Sequence, residues 1–289
     1  MPKNPDGLIV SAPAKINLFL HVGDKRADGY HALESLVVFA GVGDTLTFAP
    51  ADGLSMSITG PFAVGLDAGP DNLVMKAARL LAERAAVTRG ARIVLTKNLP
   101  VASGIGGGSA DAAATLRGLV QLWNLKMPPD DLRRVGEALG SDVPVCVDSM
   151  TAWMEGRGEK LTTLNDVPEV PIVMVNPGVA VPTGKIFAAL KGRRGIGLAL
   201  PPKMRDAAAL VAYLKTTAND LEAPACEAAP VIATVLEALA SQQGALLARM
   251  SGSGATCFAL FGDTETSRNA ATSIGSRHKD WWVVSTAIR

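Results

Sequence analysis

The feature that most constrains this chain is a glycine run placed between a strand pattern and a helix pattern. Four glycines fall within residues 104–108, in the order Gly-Ile-Gly-Gly-Gly. The alternation over residues 91–97 predicts a strand before the run, and the apolar spacing after Ser109 predicts a helix behind it. Glycine permits left-handed backbone and close approach to a ligand, and a helix start offers unpaired N–H groups. The sequence therefore predicts a site for an anion such as phosphate.

Two familiar nucleotide-binding motifs do not fit this run. The P-loop pattern ends in Gly-Lys-Ser/Thr, and no lysine follows Gly108. The dinucleotide fingerprint needs Gly or Ala at its sixth position, where Ser109 stands. A flexible linker is the other interpretation, but linkers rarely separate a clear strand from a clear helix. Phosphate binding by the backbone is therefore favoured.

Length, charge and cysteine content exclude several other classes of protein. A chain of 289 residues that is 48% hydrophobic can bury a large core, in about two domains. No apolar run reaches the roughly 18 residues of a membrane span, and Lys15 and Asn17 interrupt the first apolar run, so we expect a cytoplasmic protein without a signal peptide. The net charge of +1 argues against a nucleic-acid partner. Cys146, Cys226 and Cys257 form no C-x-x-C pair and are expected to be reduced thiols, with Cys146 and Cys257 in strand-like runs.

The hydrophobic patterns predict a mixed α and β fold with a boundary between residues 150 and 170. We expect a turn at Asp28-Gly29, and a helix start capped by Asp71. Strands are predicted at residues 16–22, 43–48, 91–97, 171–175, 245–250, 256–261 and 281–286. Helices are predicted at residues 72–84, after 109, and at 131–139, 207–215 and 231–241.

Three segments carry a resemblance to a known family. Residues 12–18 resemble the first motif of the GHMP kinases, and residues 250–255 resemble the third. The glycine run and its neighbours resemble the second motif, whose loop wraps the triphosphate of ATP in that family. These residues are Pro100, Val101, Ala102, Ser103, Gly104, Ile105, Gly106, Gly107, Gly108, Ser109 and Ala110. The resemblance implies an α+β, two-domain GHMP kinase fold. Residues 1–160 would form a ribosomal protein S5 domain 2-like ATP-binding domain and residues 161–289 a C-terminal α+β domain, with substrate in the interdomain cleft.

Residues 26–31, 141–144 and 177–183 resemble one branch of this family. That resemblance implies transfer of the γ-phosphoryl group of ATP to the 2-hydroxyl of a cytidine diphosphate-linked methylerythritol, in the non-mevalonate isoprenoid pathway. Mg²⁺ is expected with ATP, with its ligands unassigned, and either a monomer or a homodimer is compatible with the sequence. Two alternatives stay open: a kinase of the homoserine or mevalonate type, and a nucleotide-binding module without catalysis.

The resemblance also implies roles for two ionisable residues. Asp142 matches the family's catalytic aspartate, which accepts or polarises the proton of the substrate hydroxyl. Lys15 would lie beside it and neutralise developing charge. The structural alternatives are a turn or cap role for Asp142 and a surface strand position for Lys15.

Further residues match binding positions of the family. Tyr30 and His31 match the pair that recognises cytidine, Phe187 matches the second stacking partner, and Thr183 and Asn17 match polar contacts to the substrate. The alternative for Phe187 is the core face of a helix.

Other positions concern the nucleotide and its loop. Asn72 and Lys97 match positions near adenine, and Gly252 and Gly254 are expected to brace the phosphate loop. The chain departs from the family pattern at Ser103, where Gly or Ala is usual, and at Asp111, where Asn is frequent. Five basic residues are interpreted as a solvated loop rather than a site: Lys191, Arg193, Arg194, Lys203 and Arg205.

Overall fold

A computed structural model describes residues 7–27, 29–190 and 195–289 of the chain. These residues form two compact units, each assembled from separate stretches of sequence. The first unit includes residues 7–14 with Val42–Val101 and Gly106–Ser149, and the second includes Lys15–Gly41, Ala102–Ile105 and Met150–Arg289. The predicted domain boundary at residue 160 divides the chain in sequence order and stays a prediction.

Strands and helices occur in runs along the chain, and most strand pairs are antiparallel, so the predicted α+β class is confirmed. The strands are β1 (Leu8–Asn17), β2 (His21–Lys25), β3 (His31–Ala51), β4 (Leu54–Thr59), β5 (Gly90–Thr96), β6 (Ala152–Gly156), β7 (Lys160–Thr163), β8 (Val170–Asn176), β9 (Ala245–Met250), β10 (Cys257–Phe261) and β11 (Trp282–Ile288). The helices are α1 (Leu73–Arg84), α2 (Gly107–Leu122), α3 (Pro129–Glu137), α4 (Val143–Asp148), α5 (Thr183–Ala188), α6 (Ala207–Leu214), α7 (Glu222–Ala228), α8 (Val231–Ala240) and α9 (Thr264–Arg277). None of the helices in the described ranges is long and apolar enough to cross a bilayer.

The first unit packs helices against a short mixed sheet. The second half of β3 pairs antiparallel with β5, and β5 pairs parallel with β4. Helix α2 packs against α1, α3 and α4, and Gly118 lets it approach the sheet closely. A Cβ at Gly118 would lie 2.3 Å from the Phe48 ring, which is fully buried. The start of α2 is thereby held at a fixed place in this unit.

The second unit contains an antiparallel sheet covered by helices. Strands β11, β8, β10 and β9 pair side by side, while the first half of β3 pairs with β2 and β6. The hydrophobic core between the sheet and its helices includes Val173, Val175, Ile232 and Phe261, each fully buried. Because β9 and β10 form a hairpin, their connection at residues 251–256 is held at the edge of this core.

Two predictions about the N-terminal half are wrong in detail. The strand predicted at residues 16–22 is interrupted, because β1 ends at Asn17 and β2 begins at His21, with Leu20 making an isolated bridge to Asn219. Helix α1 is capped by Asn72, whose side chain accepts a hydrogen bond from the Val74 N–H, and not by Asp71. Asp28 of the predicted turn lies outside the described residues.

Cys146 lies in helix α4, so its predicted strand position is wrong. The apolar run around it is typical of a strand, but Pro144 lacks the N–H that a strand ladder needs and fits the first turn of a helix. Cys257 lies in β10 as expected. All three cysteines are free thiols, as predicted, and Cys226 is only partly buried.

Candidate active site

Two glycines of the loop adopt the left-handed backbone conformation just before helix α2. Gly104 has φ +76° and Gly106, the N-cap of α2, has φ +63°. A Cβ at position 104 would lie 2.6 Å from the Ser251 carbonyl oxygen and 2.7 Å from that of Gly254. Both the backbone angle and the lack of space therefore require glycine at position 104.

The first turn of α2 provides donors for an anion. The helical ladder begins where the Ala110 N–H donates to the Gly106 carbonyl at 2.8 Å, so the N–H groups of Gly107, Gly108 and Ser109 have no acceptor within the helix. The first turn carries no acidic residue, and a Cβ at Gly108 would meet nothing within 4 Å. The helix start is therefore open at Gly108, and the helix dipole favours negative charge there.

The third motif packs directly against residues 102–105 of the loop. The Ser251 hydroxyl donates to the Gly104 carbonyl at 3.1 Å, and the Thr256 N–H donates to the Ser103 carbonyl at 3.0 Å. Gly252 has φ +56°, and a Cβ there would lie 2.7 Å from the Gly104 oxygen. The predicted brace of the loop by the third motif is confirmed, and it is also the turn of a hairpin.

The first motif joins the same hydrogen-bond network. Lys15 is 3% exposed; its Nζ donates to Asn17 Oδ1 at 2.9 Å, and its N–H donates to the Ile105 carbonyl at 2.9 Å. The Asn17 N–H donates to the Ser251 hydroxyl at 3.1 Å, and its amide donates to the Ser35 hydroxyl at 2.8 Å. A surface position for Lys15 is therefore wrong. We refer to Lys15, Asn17, Ser35 and Ser251 as the first-motif network.

Asp142 directly precedes helix α4. It is half-buried, and its backbone is helical, with φ −88° and ψ −10°. Its side chain does not cap the N–H groups of α4, although its carbonyl accepts a hydrogen bond from the Cys146 N–H at 3.4 Å. The capping alternative for this carboxylate is therefore wrong. Asp142 belongs to the first unit and Lys15 to the second, and their predicted pairing stays a prediction.

The residues predicted to recognise cytidine gather in the second unit. The His31 and Phe187 rings stack with centroids 5.6 Å apart and planes 22° from parallel. His31 Nδ1 lies 3.1 Å from the Gly23 carbonyl; because a carbonyl only accepts, Nδ1 is the donor there. Tyr30 is 54% exposed, with the Arg157 guanidinium carbon 4.7 Å from its ring centroid. His31 and Phe187 therefore form a stacked pair that includes an imidazole, and Tyr30 directly precedes His31 in the chain.

Thr183 and Asn72 have partners of their own. The Thr183 hydroxyl lies 2.8 Å from the hydroxyl of Ser253, which connects the start of α5 to the third motif. The Asn72 side chain caps α1 and donates to the Asp67 carbonyl at 2.8 Å. A role of Asn72 near adenine stays a prediction.

Lys97 lies in a buried cluster of charges that we call the triad, consisting of Asp44, Lys97 and Asp111. Its ammonium group bonds to Asp44 Oδ2 and to Asp111 Oδ2, the latter at 2.7 Å. The three side chains are at most 5% exposed. Asp44 Oδ1 also accepts hydrogen bonds from the N–H groups of Asn98 and Leu99. The Lys97 ammonium group is therefore already paired with two carboxylates of the protein. The predicted position of Lys97 near adenine stays a prediction.

The triad shifts the pKa values of Asp111 and Lys97. Burial raises the pKa of Asp111 to about 7, and the Asp44 carboxylate adds to this, while Lys97 opposes it. Burial lowers the pKa of Lys97, but the two carboxylates outweigh it and raise that pKa overall. Asp111 is visible in the sequence as a departure from the family pattern, but no local pattern links it with Asp44, which lies 53 residues before Lys97 in the chain.

A second set of residues escaped the sequence analysis. Asn219 is buried, and its amide donates to the Met250 carbonyl at 2.8 Å and to the Gly252 carbonyl at 2.7 Å. The buried Arg249 donates to the carbonyls of Leu18, Leu214 and Thr217. The polar run Thr217-Ala218-Asn219-Asp220 between two helix patterns was the available signal.

Within the ranges that the structure describes, no group of three or more His, Cys, Asp or Glu side chains could hold a metal ion. In the basic stretch, Lys191, Arg193 and Arg194 lie outside the described residues. Lys203 pairs with Asp166 at 3.5 Å, and both side chains are exposed.

Comparison with known proteins gives the class of this chain. The family model described as "GHMP kinases N terminal domain" matches residues 72–149, and "GHMP kinases C terminal" matches residues 203–280. The chain belongs to the GHMP kinase family. Residues 203–280 include the third motif and α8, and residues 72–149 include the glycine loop and Asp142.

Individual relatives of this chain carry a more specific name than the family model does. A protein of Paramagnetospirillum magneticum named 4-diphosphocytidyl-2-C-methyl-D-erythritol kinase is 50% identical over 95% of this chain and 96% of its own length. One of the same name from Cereibacter sphaeroides is 52% identical over 94% of this chain and 96% of its own length. A crystal structure of 4-(cytidine 5'-diphospho)-2C-methyl-D-erythritol kinase is 31% identical, covers 97% of this chain and 99% of its own, and superposes with a TM-score of 0.80.

More distant structures share the fold alone. A homoserine kinase from Cytophaga hutchinsonii is 19% identical, with a TM-score of 0.71, and covers 99% of this chain and 96% of its own. The predicted two-domain GHMP kinase class is confirmed by these superpositions and by the two family models.

Proposed function

We propose that this chain is an ATP-dependent 4-diphosphocytidyl-2-C-methyl-D-erythritol kinase, which phosphorylates the 2-hydroxyl of its substrate in the non-mevalonate isoprenoid pathway. The observation that carries the proposal is the identity of about half to relatives of that name over nearly the whole chain. The hydrogen-bonded contacts among the first motif, the glycine loop and the third motif support it, because phosphoryl transfer depends chiefly on positioning.

ATP is proposed to bind with its phosphates at the glycine loop, residues 100–110, and at the first turn of α2. The open side of Gly108 and the unpaired N–H groups fit an anionic group at this place. Bound Mg²⁺ would neutralise phosphate charge, and it is commonly held by phosphates and water with few protein ligands. Asn72 and Lys97 are proposed to lie near adenine. Lys97 would do so through its backbone or methylene groups, since its ammonium lies between two carboxylates.

Asp142 is proposed to accept the proton of the acceptor hydroxyl, and Lys15 to favour the ionised form of that hydroxyl. The half-buried Asp142 carboxylate does not cap α4, so helix capping does not compete with this role. Burial of Lys15 beside a neutral amide strengthens its interaction with a nearby anion, because the local dielectric is low.

The acceptor is proposed to be held by its cytosine and polar groups. Tyr30 and Phe187 offer ring faces for stacking, and His31, with Nδ1 committed to Gly23, presents Nε2 as a hydrogen-bond acceptor when neutral. Asn17 and Thr183 are proposed as polar contacts to the substrate. We propose that the enzyme acts in the cytoplasm on this small molecule, as a monomer or homodimer, without nucleic acid or membrane partners.

The test is ADP release with MgATP and 4-diphosphocytidyl-2-C-methyl-D-erythritol as acceptor, run beside homoserine and mevalonate. We expect turnover only with the cytidine-linked alcohol, and phosphate on its 2-hydroxyl by ³¹P NMR. Asp142→Asn should lower kcat at least 100-fold while the Kd of MgATP changes little. Asp148→Asn is the matched control, since Asp148 lies at the far end of α4 and pairs with Arg133 of α3.

Two results would overturn the proposal. Turnover with homoserine or mevalonate but not with the cytidine-linked alcohol would favour another kinase of the family. MgATP binding without turnover of any acceptor, with Asp142→Asn indistinguishable from wild type, would favour a nucleotide-binding module.

A further inference from the structure

The triad contains one polar atom that its surroundings do not satisfy. Asp111 is 3% exposed, and its Oδ1 accepts no hydrogen bond from any residue in the described ranges. The other carboxylate oxygen and both oxygens of Asp44 are bonded, so two acids share one ammonium group. With both acids ionised, the triad would carry a net charge of −1 away from water, which is costly.

The triad connects three elements around the glycine loop in the first unit. Asp44 belongs to β3 and bonds the backbone that follows β5, while Asp111 lies one turn inside α2. A Cβ on Gly107, the first residue of α2, would lie 3.2 Å from Lys97 Nζ. The ammonium group therefore lies beside the turn at which phosphate is proposed to bind.

The other charged residue of helix α2, Arg117, has different partners. The Arg117 guanidinium, on the same helix, donates to the carbonyls of Cys146 and Ser11. Among the described residues, the charges that shift the pKa of Asp111 are those of Lys97 and Asp44. On the helices packed on α2, the Cys146 thiol of α4 is buried. The charged residues of these helices are exposed or half-exposed: Lys76, Arg79, Glu83 and Arg84 on α1, Asp130, Asp131, Arg133, Arg134 and Glu137 on α3, and Asp142 and Asp148 at α4.

We propose that the triad is a positioning device for the phosphate loop and that Asp111 takes up a proton when MgATP binds. The inference rests on the proposed function. Anionic phosphate at the start of α2 disfavours a second negative charge beside Lys97, so binding shifts Asp111 toward its neutral acid. Lys97 then neutralises one carboxylate instead of two. The burial that raises the pKa of Asp111 to about 7 makes this exchange available near neutral pH.

The experiment is titration calorimetry of MgATP into wild type and Asp111→Asn at pH 7.0, in two buffers of different ionisation enthalpy. Wild type is expected to bind as much as about half a proton more than the variant on addition of MgATP, because a group of pKa about 7 is half protonated before binding. The variant also corrects for protons exchanged by the nucleotide. Asp52→Asn, on an exposed side chain of the same unit, should behave as wild type.

A second measurement needs no variant. The Kd of MgATP for wild type should increase as pH rises from 6 to 8.5, by less than tenfold per pH unit. Equal proton uptake by wild type and Asp111→Asn overturns the inference, and if Asp111→Asn does not fold, a wild-type Kd independent of pH overturns it. Absence of MgATP binding to wild type contradicts the proposed function instead, so the two failures can be distinguished.

Discussion

The first-motif network and the triad both bury polar side chains, yet they satisfy them in different ways. In the network, amide and hydroxyl groups alternate as donors and acceptors, from Asn17 to Ser251 and on to the Gly104 carbonyl. In the triad, one ammonium is shared by two carboxylates and Asp111 Oδ1 has no partner among the described residues. A satisfied hydrogen-bond network fixes geometry, whereas an unsatisfied ionic one can also exchange protons. Burial alone therefore does not tell whether a polar cluster is static.

The largest expected effect is removal of the shared cation by Lys97→Met. Two buried carboxylates would lose their counter-ion, and breaking a buried ion pair from one side costs about 3–5 kcal/mol. Urea unfolding at pH 7.5 measures the loss. The matched control is Lys76→Met, at a solvent-exposed pair, and a loss of similar size in both variants would contradict the contrast drawn between buried and exposed charges.

The pH dependence of stability separates the triad from the network. Because the pKa of Asp111 is raised to about 7, the folded protein keeps a proton that the unfolded chain releases above pH 4, so stability falls as pH rises from about 4 to about 7. The fall from this group is at most about 4 kcal/mol. We expect a smaller fall in Asp111→Asn, measured by urea unfolding at pH 5 and pH 8. An identical difference between the two pH values in wild type and variant would show that Asp111 does not titrate in this range.

Ser251→Ala tests the amide and hydroxyl hydrogen bonds of the first-motif network. The substitution leaves the Asn17 N–H and the Gly104 carbonyl without the hydroxyl, at a cost of about 1–3 kcal/mol. We expect this loss to be the same at pH 5 and pH 8, unlike that in the triad. Ser253→Ala, in the same turn but only partly buried, is the control for side-chain removal and should lose less.

The smallest effect is expected at the exposed ion pair of Lys76 and Asp71, 3.2 Å apart. Asp71→Asn should change the free energy of unfolding by less than about 1 kcal/mol, because water screens the pair. It should also leave helix α1 intact, since Asn72 provides the cap. A clear loss of helicity by circular dichroism would mean that Asp71 contributes to capping after all.

Sequence patterns predicted regular elements well where one physical signal dominates. Helices α6 and α8 and strands β8 and β9 follow their apolar periodicity within a residue or two. The pattern failed at residues 143–148, where Val-Pro-Val-Cys-Val forms a helix, since proline and the packing of this segment override β propensity. The pattern failed again at residues 18–20, where the strand is interrupted. Both faces of this segment are buried, so the alternation of apolar and polar residues does not show where a strand ends.

For the candidate site, local motifs identified the loop but not its supports. Gly104 and Gly252 stand in recognisable motifs, and their close approach was expected from the resemblance. Asp44, Asn219 and Arg249 support the site through contacts between residues far apart in sequence, each with an ordinary local pattern. Such contacts exist only after folding, so periodicity and spacing in a single sequence do not reveal them.

The close approach of Gly104 and Gly252 has a consequence for genetics. The atoms that a new side chain at either position would strike are main-chain atoms, which every residue carries. Trimming a neighbouring side chain therefore cannot make room, and a screen for second-site suppressors of Gly104→Ala or Gly252→Ala should return reversion to glycine rather than compensating substitutions. Once either glycine is lost, this loop can be repaired by point mutation only at the position where it was lost.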